Sequence, residues 1–461
     1  MAVRATQLHF IRETASLAHL SGFAVRTRTA VPRLVSPRGR VIGYAVVLAL
    51  GSVALHLRLE ARFARAGVFR ESNVLFDADP AIYSVSFMMG QNVARWGGRS
   101  FAHPNVSNAI NPPINAGVAI MSAIRPQTDT EALRRRLALS VSPIAAGLES
   151  SVIFLTLLEL GASLAGAAIV GLLSVAAFSG LIFGSLPESY ALSGLGMAIL
   201  LWLAARTART RQVAALPWLV AGFFVAGMTI TNLAPAALLA FAAFKAAGLS
   251  VRAALIRATV GAVAIFAATA AAYQVAALVV RDAPPFVPGG SGQIEELSGF
   301  SATKAFEDFP FALANTLAPP VPVAMPYASS RPQQHGFILT YRVSAGRADG
   351  EIWRAAITLA LLAVGALGTL WMAPWQRDVM LGAALVIAFS WVLHAFFGKE
   401  LFLYSQHWLA AELILIGGAL WYKGRLRIWA GLAIAGLLTA CIVDNAYVLA
   451  SISKILSHSA M

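Results

Sequence analysis

Long apolar runs recur along this chain, near residues 41–57, 139–160, 164–184, 190–207, 216–231, 233–248, 257–280, 352–373, 378–397, 404–422 and 428–450. A helix of about 20 such residues spans the hydrocarbon core of a bilayer. Inside that core a segment must satisfy its own backbone hydrogen bonds, which favours helices over any open arrangement. The pattern therefore predicts an all-α polytopic membrane protein with about 11 transmembrane helices. Composition agrees, since 58% of residues are hydrophobic and only 12% are charged. A soluble domain carries roughly 25% charged residues, so a soluble enzyme and a free nucleic-acid-binding protein are both excluded. The sole cysteine, Cys441, rules out an intrachain disulfide, a cysteine-based zinc site and a CxxC redox pair.

The net charge of +14, with Arg outnumbering Lys 30 to 5, is read as a topology signal. Residues 1–40 hold Arg4, Arg12, Arg26, Arg28, Arg33, Arg38 and Arg40 against Glu13 alone, without the apolar core of a signal peptide. We expect a basic cytoplasmic tail followed by an uncleaved anchor. With that end inside, the inner connections carry Arg206, Arg209 and Arg211, then Lys245, Arg252 and Arg257, then Arg377, then Lys423, Arg425 and Arg427. The short outer connections carry only Lys399, the asymmetry that the positive-inside rule describes. The division that follows is a transmembrane module over 41–280 with an outer loop at 58–138, a second outer loop at 281–351, and C-terminal transmembrane helices over 352–461. Both loops mix amphipathic stretches with Pro and Gly, as juxtamembrane segments do. Alanine richness and the arginine bias suggest a bacterial source, hence an inner membrane with a periplasmic outer face.

Polar residues gather at that outer face. They are Asp77 and Asp79, His103, Asn111, Glu188, Asn232, and the run Lys399, Glu400, Tyr404, Gln406 and His407. Several separate stretches thus bring ionisable or amide groups to one depth, where two long loops could roof a cavity. Asp77-Ala78-Asp79 is the leading element, because two carboxylates on a turn can share a cation or divide base and structural roles. Asp79-Pro80 also suits the start of a helix over 81–96, with the acid as cap. A second loop helix is expected over 115–124. His103 could bind phosphate, relay a proton or ligate metal, or be satisfied by backbone. Glu188 sits on a very short hairpin, in water or drawn inward. Tyr404 and His407, three apart on the next helix, would share a face. Arg99 is a further candidate for phosphate. Glu149, Glu412 and Asp444 lie within apolar runs, and intramembrane acids can mark ion pathways. They keep a transporter or flippase for a lipid-linked or anionic solute in view.

The uncleaved first span, the long outer loop with Asp77-Ala78-Asp79 and its two expected helices, the many spans and the second long outer loop resemble the GT-C superfamily of membrane glycosyltransferases. The likeness is to the branch of protein O-mannosyltransferases and lipid A aminoarabinose transferases, over the architecture of residues 41–250. The resemblance implies inverting transfer of a sugar from a polyprenyl-phosphate donor at the periplasmic face. The acceptor would be an envelope glycan, glycolipid or protein. It implies a loop acid as base, which on this chain is Asp77, with Asp79 second; apart from the resemblance, Glu188 is a further catalytic candidate. The resemblance also implies a basic residue that holds the lipid phosphate, with no motif match here; from the polar outer face itself, His103, Arg99, Lys399, Glu400, Tyr404, His407 and Asn232 are the candidates for substrate contacts. Some members use a divalent metal, for which Asp77 and Asp79 would be the ligands of Mg2+ or Mn2+, and two acids alone leave that open.

Overall fold

The computed structural model describes residues 37–70, 74–76, 78, 103–127, 129–279, 286, 300–326, 336–341, 349–397 and 401–458. Gly43–Met461 forms one compact unit and Met1–Ile42 another. Only residues 37–42 of the smaller unit are described, as the opening turns of α1 (Pro37–Arg65).

The described residues are overwhelmingly helical, and seven helical stretches are long and apolar enough to cross a membrane. Four more apolar helices, Leu164–Ala176, Ala215–Met228, Ile230–Ala246 and Leu409–Trp421, are shorter. The centre is formed by α4 (Val141–Glu159) and α7 (Tyr190–Thr210). In the apolar stretches around them 67% and 78% of residues are buried, against 11% for α1 and 17% for the last helix, α15 (Arg425–His458). α1 and α15 therefore turn most of their apolar surface outward. Leu50, Val47, Ile442 and Val443 are among the exposed side chains, the arrangement that a lipid solvent favours over water.

Two helices from distant parts of the chain touch backbone to backbone. These are α12 (Asp349–Gly368) and α14 (Leu409–Gly417), with the short turn Gly418–Trp421 behind it. A Cβ on Gly365 would fall onto the carbonyl of Leu415, and one on Gly418 onto the carbonyl of Gly365. Small residues permit such approach in membrane helices, where packing rather than water drives association.

One end of the bundle is ionic. Glu159 at the end of α4 meets Arg209 at 2.5 Å and Arg206 at 3.6 Å near the end of α7. Lys245 at the end of α9 (Leu233–Ala246) meets Asp378 at 2.7 Å in the first turns of α13 (Pro374–Phe396). Both ions of this second pair remain partly in solvent, so Asp378→Asn is expected to cost about 1 kcal/mol or less. A double-mutant cycle with Lys245→Met, read by thermal unfolding, measures it.

The opposite end carries the two long loops. Residues Val323–Pro326 (β1) and Phe337–Thr340 (β2) pair antiparallel, Val323 opposite Thr340 and Pro326 opposite Phe337. The first loop joins them. Leu75 bridges Leu339, with Phe76 N–H donating to the Leu339 carbonyl and Leu339 N–H to the Val74 carbonyl, both at 2.8 Å. This small β element departs from the purely helical expectation, and composition gave no alternating pattern to reveal it.

Other expectations need correction. The helix expected over 115–124 is α2 (Val106–Ile124), which begins earlier and contains Pro112 and Pro113. Prolines in a helix normally sacrifice backbone bonds. Here Val106, Ile110 and Ile114, one turn apart, bury a continuous stripe against Ala191, Leu192, Leu195 and Met228, which outweighs the local loss. The apolar run 164–184 is likewise two helices, α5 (Leu164–Ala176) and α6 (Phe178–Phe183), parted at Ala177, whose backbone is extended. The expected helix at 81–96 lies outside the described residues.

Candidate functional site

The site end is organised by Leu401–His407, a tight helical turn ahead of α14. Tyr404 and His407 therefore share a face before the helix rather than on it. With three residues per turn, positions i and i+3 eclipse, and their rings are 6.0 Å apart. Tyr404 lies 4.5 Å from the ring of His394 near the end of α13, and 6.2 Å from Tyr190 at the start of α7. Tyr190 in turn stands 5.9 Å from His407 and 6.5 Å from His103. Three histidines and two tyrosines from four separate chain segments are thus in ring contact.

The histidine tautomers follow from their partners. His103 Nδ1 is 2.6 Å from the Met228 carbonyl, the end of α8 (Ala215–Met228). A carbonyl only accepts, so Nδ1 carries a proton. His394 is set in the same way, with Nδ1 3.3 Å from the Phe397 carbonyl. Buried His407 has an Nε2 without a hydrogen-bond partner among the described residues. Burial, reinforced by repulsion from His394 and His103, pushes its pKa down to about 3. His407 lies outside the membrane-spanning helices and is neutral at physiological pH.

A histidine with a folded pKa of about 3 and an unfolded value near 6.5 gains protons on unfolding in that window. Its neutral burial is harmless above pH ~6.5, and stability falls as pH drops below it, by up to about 1.4 kcal/mol per unit. We expect wild type to lose thermal stability between pH 7 and 5 and His407→Gln to lose less. Equal losses would assign the acid sensitivity to another group.

Glu188 is buried directly ahead of α7, where Ser189 N–H donates to Oε2 at 3.2 Å and Ser142 Oγ donates to its backbone carbonyl at 3.3 Å. It is drawn into the protein, not left in interfacial water. Asn232 is buried on the short turn Ile230–Asn232, and its Nδ2 has no partner among the described residues. Thr229 beside that turn lies 3.5 Å from His103 Nδ1 and 3.1 Å from Ser193 Oγ. Asp77, Asp79, Arg99, Lys399 and Glu400 lie outside the described residues.

The residues flanking the acid pair are placed. Phe76 and Ala78 are both buried, and Ala78 N–H donates to the Leu75 carbonyl at 2.9 Å. Phe76 has φ of 54°, a left-handed conformation uncommon for a bulky residue. Its ring packs on Tyr341 at 4.8 Å, Phe402 at 4.8 Å and Phe178 at 6.0 Å. From Phe402 the contacts run to Phe183 at 5.5 Å and on to Tyr190 at 5.3 Å. A continuous aromatic wall thus links the flanks of the acid pair to the histidine and tyrosine cluster.

Tyr190, His394 and Phe76 were not among the residues expected at the site, and Gln406 was named only as one member of the polar run. His394 had one signal, being a lone imidazole in an otherwise apolar run. Tyr190 and Gln406 sit within stretches already singled out for polarity, but periodicity does not say which members turn inward. Among the described residues no three His, Cys, Asp or Glu side chains converge to hold a metal ion.

No protein-family model matches this chain, and no curated protein matches it either. The arrangement offers a neutral imidazole at His407, phenols as hydrogen-bond donors, and an aromatic wall that reaches Phe76 and Tyr341 in the two loop segments.

Proposed function

We propose that this membrane protein is a glycosyltransferase that moves a sugar from a polyprenyl-phosphate donor to an envelope glycan, glycolipid or protein. The observation that carries the reading is the joining of the two loops at Val74–Phe76 and Leu339, on an aromatic wall leading to His103, Tyr190 and His407. That places the flanks of an Asp-x-Asp turn beside a polar cluster at one end of a helical bundle. In this reading all eleven apolar helices cross the membrane, with Arg206, Arg209 and Lys245 at the cytoplasmic end. The site faces the periplasm of a bacterial inner membrane.

Asp77 would take the proton of the acceptor as it attacks C1 of the sugar, and the lipid phosphate would leave with the bonding electrons. The leaving group is already anionic, so a positioned cation helps more than a strong general acid. Arg99 and Lys399 are the candidates for that role. Asp77 and Asp79 would be the ligands of a divalent cation, and EDTA treatment of an active preparation separates metal-dependent from metal-free transfer.

The test is mass spectrometry of envelope lipids and glycans from the source organism with and without the gene. Loss of one glycan modification with accumulation of a polyprenyl-phosphate sugar is expected. Unchanged glycans would remove the reading. A second reading, transport of a lipid-linked or anionic solute, is favoured by Glu149 and Glu412, buried carboxyl groups with unpartnered oxygens. Solute movement lost in Glu149→Gln but kept in Asp77→Asn would favour it.

A further inference from the structure

Gln406 and His407 are neighbours in the same turn but face different surroundings. One turn of α7 beyond Tyr190, Gly194 has no side chain, and two oxygens from neighbouring elements crowd the place where one would stand. A Cβ placed there would meet Gln406 Oε1 and would lie 2.8 Å from Glu149 Oε2. Glu149 belongs to the central helix α4 and is 3% exposed, and its Oε1 has no hydrogen-bond partner among the described residues.

The orientation of the amide gives this contact its chemistry. Gln406 Nε2 donates to Ser179 Oγ at 2.7 Å, and Ser179 Oγ lies 2.5 Å from Ser405 Oγ. With its nitrogen held by Ser179, Gln406 turns its oxygen toward Gly194. An amide carbonyl and a carboxyl group thus both approach Gly194, and both are acceptors when the acid is ionised. Two acceptors facing each other in an apolar interior repel unless something positive stands between them. No Lys or Arg occurs on α7, α6 or the 401–407 turn near this level. The titratable groups on the surrounding elements are His56 on α1, Tyr190 on α7, His407 on the turn and Glu412 on α14. None is a permanent cation.

We propose that Glu149 and Gln406 form a built site for one monovalent cation, a proton or a sodium ion, beneath the histidine and tyrosine cluster. The ligands are hard oxygens, which suit either. Occupancy fixes Gln406 and with it the turn that presents Tyr404 and His407. The site depends on neither functional reading, since it buttresses the same turn in a transferase or a transporter.

The experiment uses the full chain purified in detergent. Thermal unfolding is followed from about pH 5 to 9, and with sodium from zero to about 0.3 M at constant ionic strength with choline, for wild type and Glu149→Gln. The wild-type midpoint minus the variant midpoint removes contributions common to both, including His407. A cation that binds only the folded form raises the midpoint with its concentration. If the cation is sodium, that difference rises with sodium at about pH 8 and not with choline. If it is a proton, the difference falls as pH rises without sodium. A difference flat in both series overturns the site.

Should Glu149→Gln not fold, wild type alone gives the answer through a hydrophobic carbodiimide, which labels protonated buried carboxyl groups, followed by peptide mass spectrometry. Labelling of Glu149 that sodium suppresses, or that drops about tenfold per pH unit above its titration, supports the site. Absent labelling, or labelling indifferent to both ions, overturns it.

Discussion

Replacing Asp77 with Asn is expected to lower sugar transfer by about 10²- to 10⁴-fold, the range for removing a positioned general base, while the protein still inserts and folds. The substitution keeps the shape of the side chain and removes its negative charge and its basicity. The neighbouring backbone is tied independently, by Phe76 N–H to Leu339 at 2.8 Å and by the burial of Phe76 and Ala78. Measured by complementation of a deletion with envelope mass spectrometry as readout, the variant should leave the polyprenyl-phosphate sugar unconsumed. Full complementation would show that Asp77 is not the base. Asp79→Asn is the matched control, since Asn caps a helix as well as Asp. Loss of activity in that variant would signal a need for the second negative charge.

Gly365→Leu is expected to be the most damaging change to the framework. A side chain there meets the backbone of α14 at Leu415, and backbone cannot rotate aside as a side chain can. Overpacking costs about 1–3 kcal/mol when neighbours can adjust, and we expect at least the upper end here. Gly51→Leu on α1 is the comparison, because a Cβ on Gly51 meets nothing within 4 Å. Thermal unfolding in detergent should show a large drop for the first and little change for the second. Similar midpoints would mean that α12 does not dock through Gly365.

The sequence spoke clearly where a single physical rule acts over a long stretch. Twenty apolar residues in a row announce a membrane helix, and the arginines near Thr210 and Lys245 fall at the same end of the bundle as the ion pairs of Glu159 and Asp378. It spoke less clearly where tertiary packing overrode a local rule. Pro112-Pro113 looks like a break, yet the buried stripe Val106, Ile110 and Ile114 carries α2 through it. His394 is separated from Tyr404 by a hairpin, and nothing in the spacing predicts that their rings meet. Gln406 looked like one polar residue among several, and its distinction comes from Ser179, far away in the chain. At the candidate site, five of the expected residues fall outside the described ones. His103, Glu188, Asn232, Tyr404 and His407 all fall at the site end, for reasons that are mostly non-local.

The backbone pairing of Leu75 with Leu339 also bears on how the protein is made. Residue 75 leaves the ribosome long before residue 339, and the helices from α2 to α11 (Phe309–Leu317) must be synthesised between them. Until the second loop has emerged, Val74 and Phe76 lack their hydrogen-bonding partner, and the Phe76 ring lacks Tyr341. This joint between the loop segments would then be among the last parts to set during biosynthesis. A chain halted before the β2 segment would carry most of its apolar helices and still lack this joint, which closes only when nearly the whole protein has been made.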